Sequence, residues 1–252
     1  MNVIVKTMGV SCAVLMAALA SHGQEADPDF DPLGEINDLP KMVRVQVEWI
    51  EMAHPTLTKL MREHRKSAND GDLRDACAKL VEGGEATVLE TAMVLARPGQ
   101  KATSESIEEY MYPTEYEPAI CPGNSDLVNV DVEASDLATP PTPTAFETRN
   151  LGTTLEVEPN LGSNDKVIDL RFAPEIVYHV KNEVWLEWRN KRATMNVTTP
   201  TMYSLRLSTA VSMMGGEYLM VAAQSPKGVD KVPDHTRKLM VFVKCDVLTV
   251  GR

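Results

Sequence analysis

Little in this sequence points to chemistry. Aromatic residues make up 5% of the 252 positions, and the five histidines stand far apart, at 22, 54, 64, 179 and 235. No H-E-x-x-H pair, close His/carboxylate cluster or C-x-x-C spacing occurs, which removes the common zinc arrangements. G-x-S-x-G, the P-loop and G-x-G-x-x-G are missing too, so no known pattern supplies a nucleophile elbow or a phosphate cradle. A nucleophile, a base and an orienting group cannot be assembled from what remains. The expectation is a non-enzymatic protein with no cofactor and no metal. Positive charge is also short, with 25 Lys and Arg against 36 Asp and Glu and a net charge of -11. Nucleic-acid binding needs clustered cations, and the one short basic stretch is "WRNKR" at Trp188–Arg192. An acidic surface favours solubility and disfavours anionic membrane surfaces.

Long hydrophobic runs are few. "MGVSCAVLMAALA" (Met8–Ala20) follows Lys6 and ends in the A-x-A tripeptide Ala18-Leu19-Ala20. A positive start, a short apolar run and small residues describe an export signal, so residues 1–23 are read as a signal peptide. The run is short for a membrane span. Removing it leaves Cys77, Cys121 and Cys245, an odd number in an exported protein. Cys77 falls on a helical apolar stripe and Cys245 on the apolar face of a strand, where thiols behave as small inert hydrophobes. Cys121 lies in a loop and is the reactive or bridging candidate.

What is present is patterning. Residues 24–40 are acidic and proline-bearing, a linker. Val43, Val45, Val47 and Trp49 then alternate with Arg44, Gln46 and Glu48, which predicts a strand with one buried face. Glu48 is expected on the solvated face and Glu51 at the strand end. "HPTLTKLMREHRKS" predicts a helix, with Pro55 in its first turn and Leu57, Leu60, Met61 and His64 on one side. After "NDGD", a second helix carries Leu73, Ala76, Cys77, Leu80 and Val81 and stops at Gly83-Gly84. A strand follows, then a turn at Arg97–Gln100, then a strand that Pro113 ends near Tyr112. Residues 119–145 read as a proline-rich loop.

Beyond the loop the chain is almost all strand. Leu151, Thr153, Leu155 and Val157 face one way and Thr154, Glu156 and Glu158 the other. Gly162–Asp165 supply a turn, and Ile168, Leu170 and Phe172 resume the alternation, which makes a β-hairpin about one strand long on each side. Further strands are expected in "MYSLRLSTAVSM", "GGEYLMVAAQ" and "RKLMVFVKCDVLTV". The fold class is α+β and mostly β: a β-α-α-β unit over 41–118, then an antiparallel β half over 146–252, able to close as a sandwich. The count is two helices and about eight strands.

Two aromatic groups are the candidate partner contacts. Tyr110, Tyr112 and Tyr116 form a patch suited to stacking on a sugar or peptide, or to plugging a domain edge. Trp185 and Trp188 suit either an anchor for a partner or ordinary core packing.

The order of these motifs resembles a known family. "GGEATVLETAMVLARPGQKATSESIEEYMYPTEYEP" looks like the segment of bacterial secretins where a glycine-ended helix leads to a strand, a Pro-Gly-Gln turn and another strand. "PTAFETRNLGTTLEVEPNLGSNDKVIDLRFAPEIV" resembles the hairpin that begins R-x-x-G-x-x-L-x-V-x-P, here Arg149, Gly152, Leu155, Val157 and Pro159. "TPTMYSLRLSTAVSMMGGEYLMVAA" and "KLMVFVKCDVL" resemble the strands that close the secretin core. The resemblance covers about residues 41–250. It implies a structural or accessory component of a type IV pilus or type II secretion apparatus, in the periplasm or at the outer membrane. Self-association or pairing with other pilus or secretion envelope proteins is implied as well. Two departures stand out. The repeated ring-building domains of typical secretins are not seen, and "DKVPDH" (Asp230–His235) passes straight to the last strand without a membrane-lip segment. A minimal outer-membrane pore subunit is one alternative. A secreted adhesion or ligand-binding module that uses the tyrosine patch is another.

Overall fold

A computed structural model describes residues 39–64, 69–121, 134–228 and 233–249. The expected signal peptide and nearly all of the acidic linker lie outside the described residues. The chain from Leu39 onward runs β1 (Lys41–Ala53), α1 (His54–Glu63), α2 (Gly71–Glu82), β2 (Ala86–Ala96) and β3 (Ala102–Glu117). It continues through β4 (Thr142–Leu161), β5 (Val167–Arg189), β6 (Thr194–Arg206), β7 (Thr209–Met214), β8 (Tyr218–Gln224) and β9 (Arg237–Thr249). These strands form two antiparallel sheets. Sheet A has the order β2-β1-β9-β8, and sheet B the order β3-β4-β5-β6, with β7 pairing β5. The α+β, mostly β class expected from the periodicity is what the chain adopts.

Sheet A is built around β1 and β9, which pair along their whole length from Lys41↔Thr249 to Ala53↔Arg237. Segments from both sides of the 119–145 stretch therefore share one sheet. The inner face of sheet A (Val43, Val45, Val47, Trp49, Val241, Val243 and Cys245) packs on the inner face of sheet B, where Leu155, Val157, Ile168, Leu170 and Phe172 are buried. Its outer face bears Ile50, Met52, Met240 and Phe242, covered by Leu57 and Leu60 of α1 and by Leu73 and Cys77 of α2. The order of layers is thus helices, sheet A, sheet B. Each large apolar side chain so enclosed is worth about 1.5–3 kcal/mol.

This layering explains why the alternation in β1 stops after Val47. Arg44 and Gln46 lie on the part of the outer face that the helices leave open, and both are half-buried. From Val47 to Met52 every residue is buried, because both faces are covered there. Glu48 is 6% exposed and Glu51 8%, which corrects the expectation of a solvated Glu48 and a strand ending at Glu51. Each buried carboxylate is paired with a cation: Arg74 Nε of α2 lies 2.5 Å from Glu48, and Nε of the more exposed Arg237 of β9 lies 2.9 Å from Glu51. Gln46 Nε2 adds a hydrogen bond to Glu48 at 2.7 Å.

Local chemistry sets several boundaries. Pro55 sits in the first turn of α1, where a missing N–H leaves no bond unmade. Asp70 precedes α2, but its carboxylate accepts a bond from Met220 N at 2.8 Å and so ties the helix to β8. The Gly71 N–H is met by Asn69 Oδ1 instead.

Two strand limits differ from expectation. Pro113 does not end β3, which continues to Glu117 through register shifts beside Pro113 and Glu115. Proline is tolerated there because β3 has a partner strand on one side only among the described residues and because the shifts excuse its missing donor. The hairpin at Gly162–Asp165 is also far longer than expected. Its strands run 20 and 23 residues, and β4 begins at Thr142, inside the stretch read as a loop. "MYSLRLSTAVSM" is divided between β6 and β7, which makes nine strands among the described residues.

Candidate assembly surface

Sheet B changes character halfway along. β4 and β5 pair from Leu161↔Ile168 to Gly152↔Val177 and no further. Past that point β3 stays paired with β4 to Glu117↔Thr142, and β5 with β6 to Arg189↔Thr194. The sheet thus divides into two two-stranded ribbons that extend beyond the sandwich. Gly152 sits at the division with φ 119, a conformation that side chains strongly disfavour. A Cβ there would stand 2.2 Å from the Ser106 carbonyl oxygen of β3. Only glycine lets β3 come this close while β4 turns out of the β5 ladder.

Side chains tie the ribbons together at two levels. Near the division, the Tyr110 ring of β3 stacks on His179 of β5 with centroids 4.9 Å apart. Tyr110 Oη donates to Asn182 Oδ1 at 3.3 Å, and His179 Nε2 lies 2.9 Å from the same oxygen. At the tip, Asn190 does two tasks. Its Oδ1 accepts bonds from Arg192 N and Ala193 N, both at 2.8 Å, which shapes the β5–β6 turn. Its Nδ2 donates to the carbonyls of Asp136 and Ala138 at 3.4 and 3.1 Å. Those carbonyls belong to the 3-10 turn Ala134–Leu137 and the residue after it, in the connection between β3 and β4. Lys191 Nζ adds an ion pair to Asp136 at 2.6 Å. Thr139 N, donating to Ile120 O at 2.9 Å, closes the two ends of that connection on each other.

The five candidate contact residues all lie on these ribbons. Tyr110 and Tyr112 share one face of β3 with centroids 6.3 Å apart, and Tyr112 Oη donates to Glu147 at 3.2 Å. Burial, with the Glu147 carboxylate beside it, holds the Tyr112 hydroxyl above its ordinary value. Tyr116 lies farther along, opposite Pro143 past the register shifts. Trp185 stands at a register shift in β5 and is 74% exposed, between the exposed Val184 and Leu186. Trp188 is half-buried, opposite Met195. His179, Asn182, Asn190 and Asp136 were not singled out from the sequence. "RNKRA" carried the only usable signal, an Asn among small and basic residues, which is turn chemistry as much as a basic patch.

Other polar groups serve the core. Glu51 is held above the usual carboxylate range by burial; Arg237 opposes this and Asp234 adds to it. Burial also raises the Tyr178 hydroxyl, with Glu90 and Glu51 contributing. Burial pushes the thiols of Cys77 to about 11 and Cys245 to about 12, while Cys121 is exposed. Among the described residues no three His, Cys, Asp or Glu side chains are placed to hold a metal ion. No described helix is long and apolar enough to cross a membrane, which says nothing of strands.

No family model and no curated protein matches this chain. Solved structures to which it is similar include Aeromonas hydrophila ExeD (12% identity, TM-score 0.36, covering 84% of this chain and 48% of that one). The Salmonella SPI-1 type III secretion injectisome secretin InvG is similar at 9% identity and TM-score 0.36, over 85% of this chain and 63% of that one. The type II secretion system secretin GspD of E. coli K12 is similar at 11% identity and TM-score 0.34, over 83% and 50%. This chain therefore spans between about half and two thirds of the length of those chains. Likeness at these scores and identities fixes neither a family nor an activity.

Proposed function

We propose that this chain is an exported, non-enzymatic structural component of a cell-envelope apparatus of the type IV pilus or type II secretion kind, and that it assembles through its strand edges. One observation carries the reading. Among the described residues β3 and β6, of 16 and 13 residues, are the outermost strands of sheet B, and each is paired there on one side only. An unpaired edge of that length presents a row of backbone donors and acceptors to another strand. Edge charge differs between the two: β3 bears Glu105, Glu108, Glu109, Glu115 and Glu117, while β6 has no acid and ends at Arg206. A β3 edge laid on the β6 edge of a second copy is a heterologous contact, which closes into rings when the rotation allows. Gly152, one of the motif residues, stands at the division from which the two ribbons run.

The test is size-exclusion chromatography with light scattering on residues 24–252 without detergent. A defined soluble oligomer is expected. A strict monomer over a wide concentration range overturns the edge-pairing reading. The exposed Val184, Trp185 and Leu186 favour a second reading, a minimal outer-membrane pore subunit. Strands of 20 and 23 residues exceed the roughly 9–11 that a tilted membrane strand needs. Aggregation relieved only by detergent is the result that selects this second reading.

A further inference from the structure

The two outermost strands of sheet B do not point away from each other. β3 comes close to β6, although no ladder joins them among the described residues. The ribbons are therefore folded toward each other, with their outer strands on the closing side. Three side-chain groups hold them so: the Tyr110–His179 stack near Gly152, the Asn190 amide on the carbonyls of Asp136 and Ala138, and the Lys191–Asp136 ion pair. The tip contacts have an unusual source. They come from Asp136 and Ala138, just ahead of β4, which meet the turn of the other ribbon. They therefore span the gap where the β4–β5 ladder has already ended.

From this geometry we infer that the turn Ala134–Leu137 with Asn190 is a latch, which keeps the β3 and β6 edges from a second copy of the chain until it opens. This rests on the edge-pairing reading above and adds its regulation. The hinge is the Gly152 division, where β4 already leaves β5 and where, among the described residues, side-chain contacts join the ribbons. Opening there costs few backbone hydrogen bonds, because each ribbon keeps its own ladder. A latch of two amide–carbonyl bonds and one exposed ion pair is weak enough to open without unfolding the sandwich. It is also strong enough to keep the open form a minor population.

Asn190 allows a clean test, because its two ends do different things. Asn190→Asp keeps an oxygen for the Arg192 and Ala193 N–H groups, so the turn survives. It removes the Nδ2 donor and sets a second carboxylate beside Asp136. Self-association of the purified chain would be followed by light scattering after dilution from denaturant-free monomer, with Cys121→Ser in every sample to prevent disulfide links. Losing two net hydrogen bonds raises the open fraction about tenfold, and the association rate rises with it. Lys191→Ala is the second variant. Its side chain is 77% exposed, so its loss leaves the core untouched. It should associate a few-fold faster than the parent at low salt, and the difference should vanish in about 1 M salt, where the ion pair is screened. Equal association rates for parent and both variants, with oligomers formed by all, overturn the latch and leave edge pairing standing. Monomers in all three at every concentration overturn edge pairing and the latch with it. Slower association in Asn190→Asp, with an unchanged circular dichroism spectrum, overturns the latch in the opposite sense, since the closed ribbons would then be the associating form.

Discussion

Gly152 of β4 and Ser106 of β3 approach so closely that a methyl group on the glycine would stand 2.2 Å from the serine carbonyl oxygen. The obstacle is backbone, which no side-chain rotation relieves. The φ of 119 adds a conformational cost of about 1–3 kcal/mol for any other residue. Gly152→Ala is therefore expected to lose more than about 2 kcal/mol, read as a lower urea midpoint. The neighbouring exposed change Thr148→Ala should stay within about 0.5 kcal/mol of the parent. Equal midpoints for the two variants would show that β3 and β4 separate freely at the kink.

Arg74 and Glu48 form a pair whose members are unequally replaceable. Arg74→Met leaves the Glu48 carboxylate nearly enclosed beside Gln46 and is expected to cost about 3 kcal/mol. Adding Glu48→Gln removes the stranded charge and should return a good part of that loss. The checking measurement is a double-mutant cycle in urea. A coupling near zero would mean that the pair contributes no more than an exposed one.

Glu51 predicts a pH dependence. Burial raises its carboxyl in the folded chain above the ordinary 4.5, so the folded state binds this proton more readily than the unfolded state. Between 4.5 and the raised value the folded state carries more of the proton, and stability from this site falls as pH rises through that window. Acidification from neutral pH should accordingly recover stability at Glu51 until both states are protonated. Glu51→Gln should flatten the slope over the same window, as followed by thermal melts at several pH values. An unchanged slope would place the titration elsewhere.

The interior was legible in the sequence wherever one face met the core and the other met water. Leu155, Val157, Ile168, Leu170 and Phe172 alternate and are buried, and Leu57, Leu60, Leu73 and Cys77 follow helical spacing. Legibility failed where that condition failed. Glu48 and Glu51 occupy a strand covered on both sides, where the period-2 rule places them wrongly and only distant cations, Arg74 and Arg237, make their burial possible. Pro113 reads as a stop in the sequence because a proline's tolerance depends on whether its strand is an edge, which is a property of the sheet. The ribbon ties were hidden for a third reason. Asn190 and Asp136 lie 54 positions apart, and neither type announces a partner at that distance. Tyr110 was found as an aromatic, but its stack on His179 depends on the Gly152 kink.

The pairing of β1 with β9 also sets an order of events in folding. Strands β3 through β7 form sheet B from one continuous stretch, while sheet A needs its first strand and its last. A chain leaving the ribosome N-terminus first presents β1, both faces of which are buried from Val47 to Met52 in the folded chain, and its neighbour β9 is made only after β2 through β8. Long-range pairing of this kind is slow and leaves sticky edges uncovered in the meantime. The nascent chain thus carries an aggregation hazard in β1 until β9 is made, and a holding chaperone that covers Val47–Met52 would relieve it.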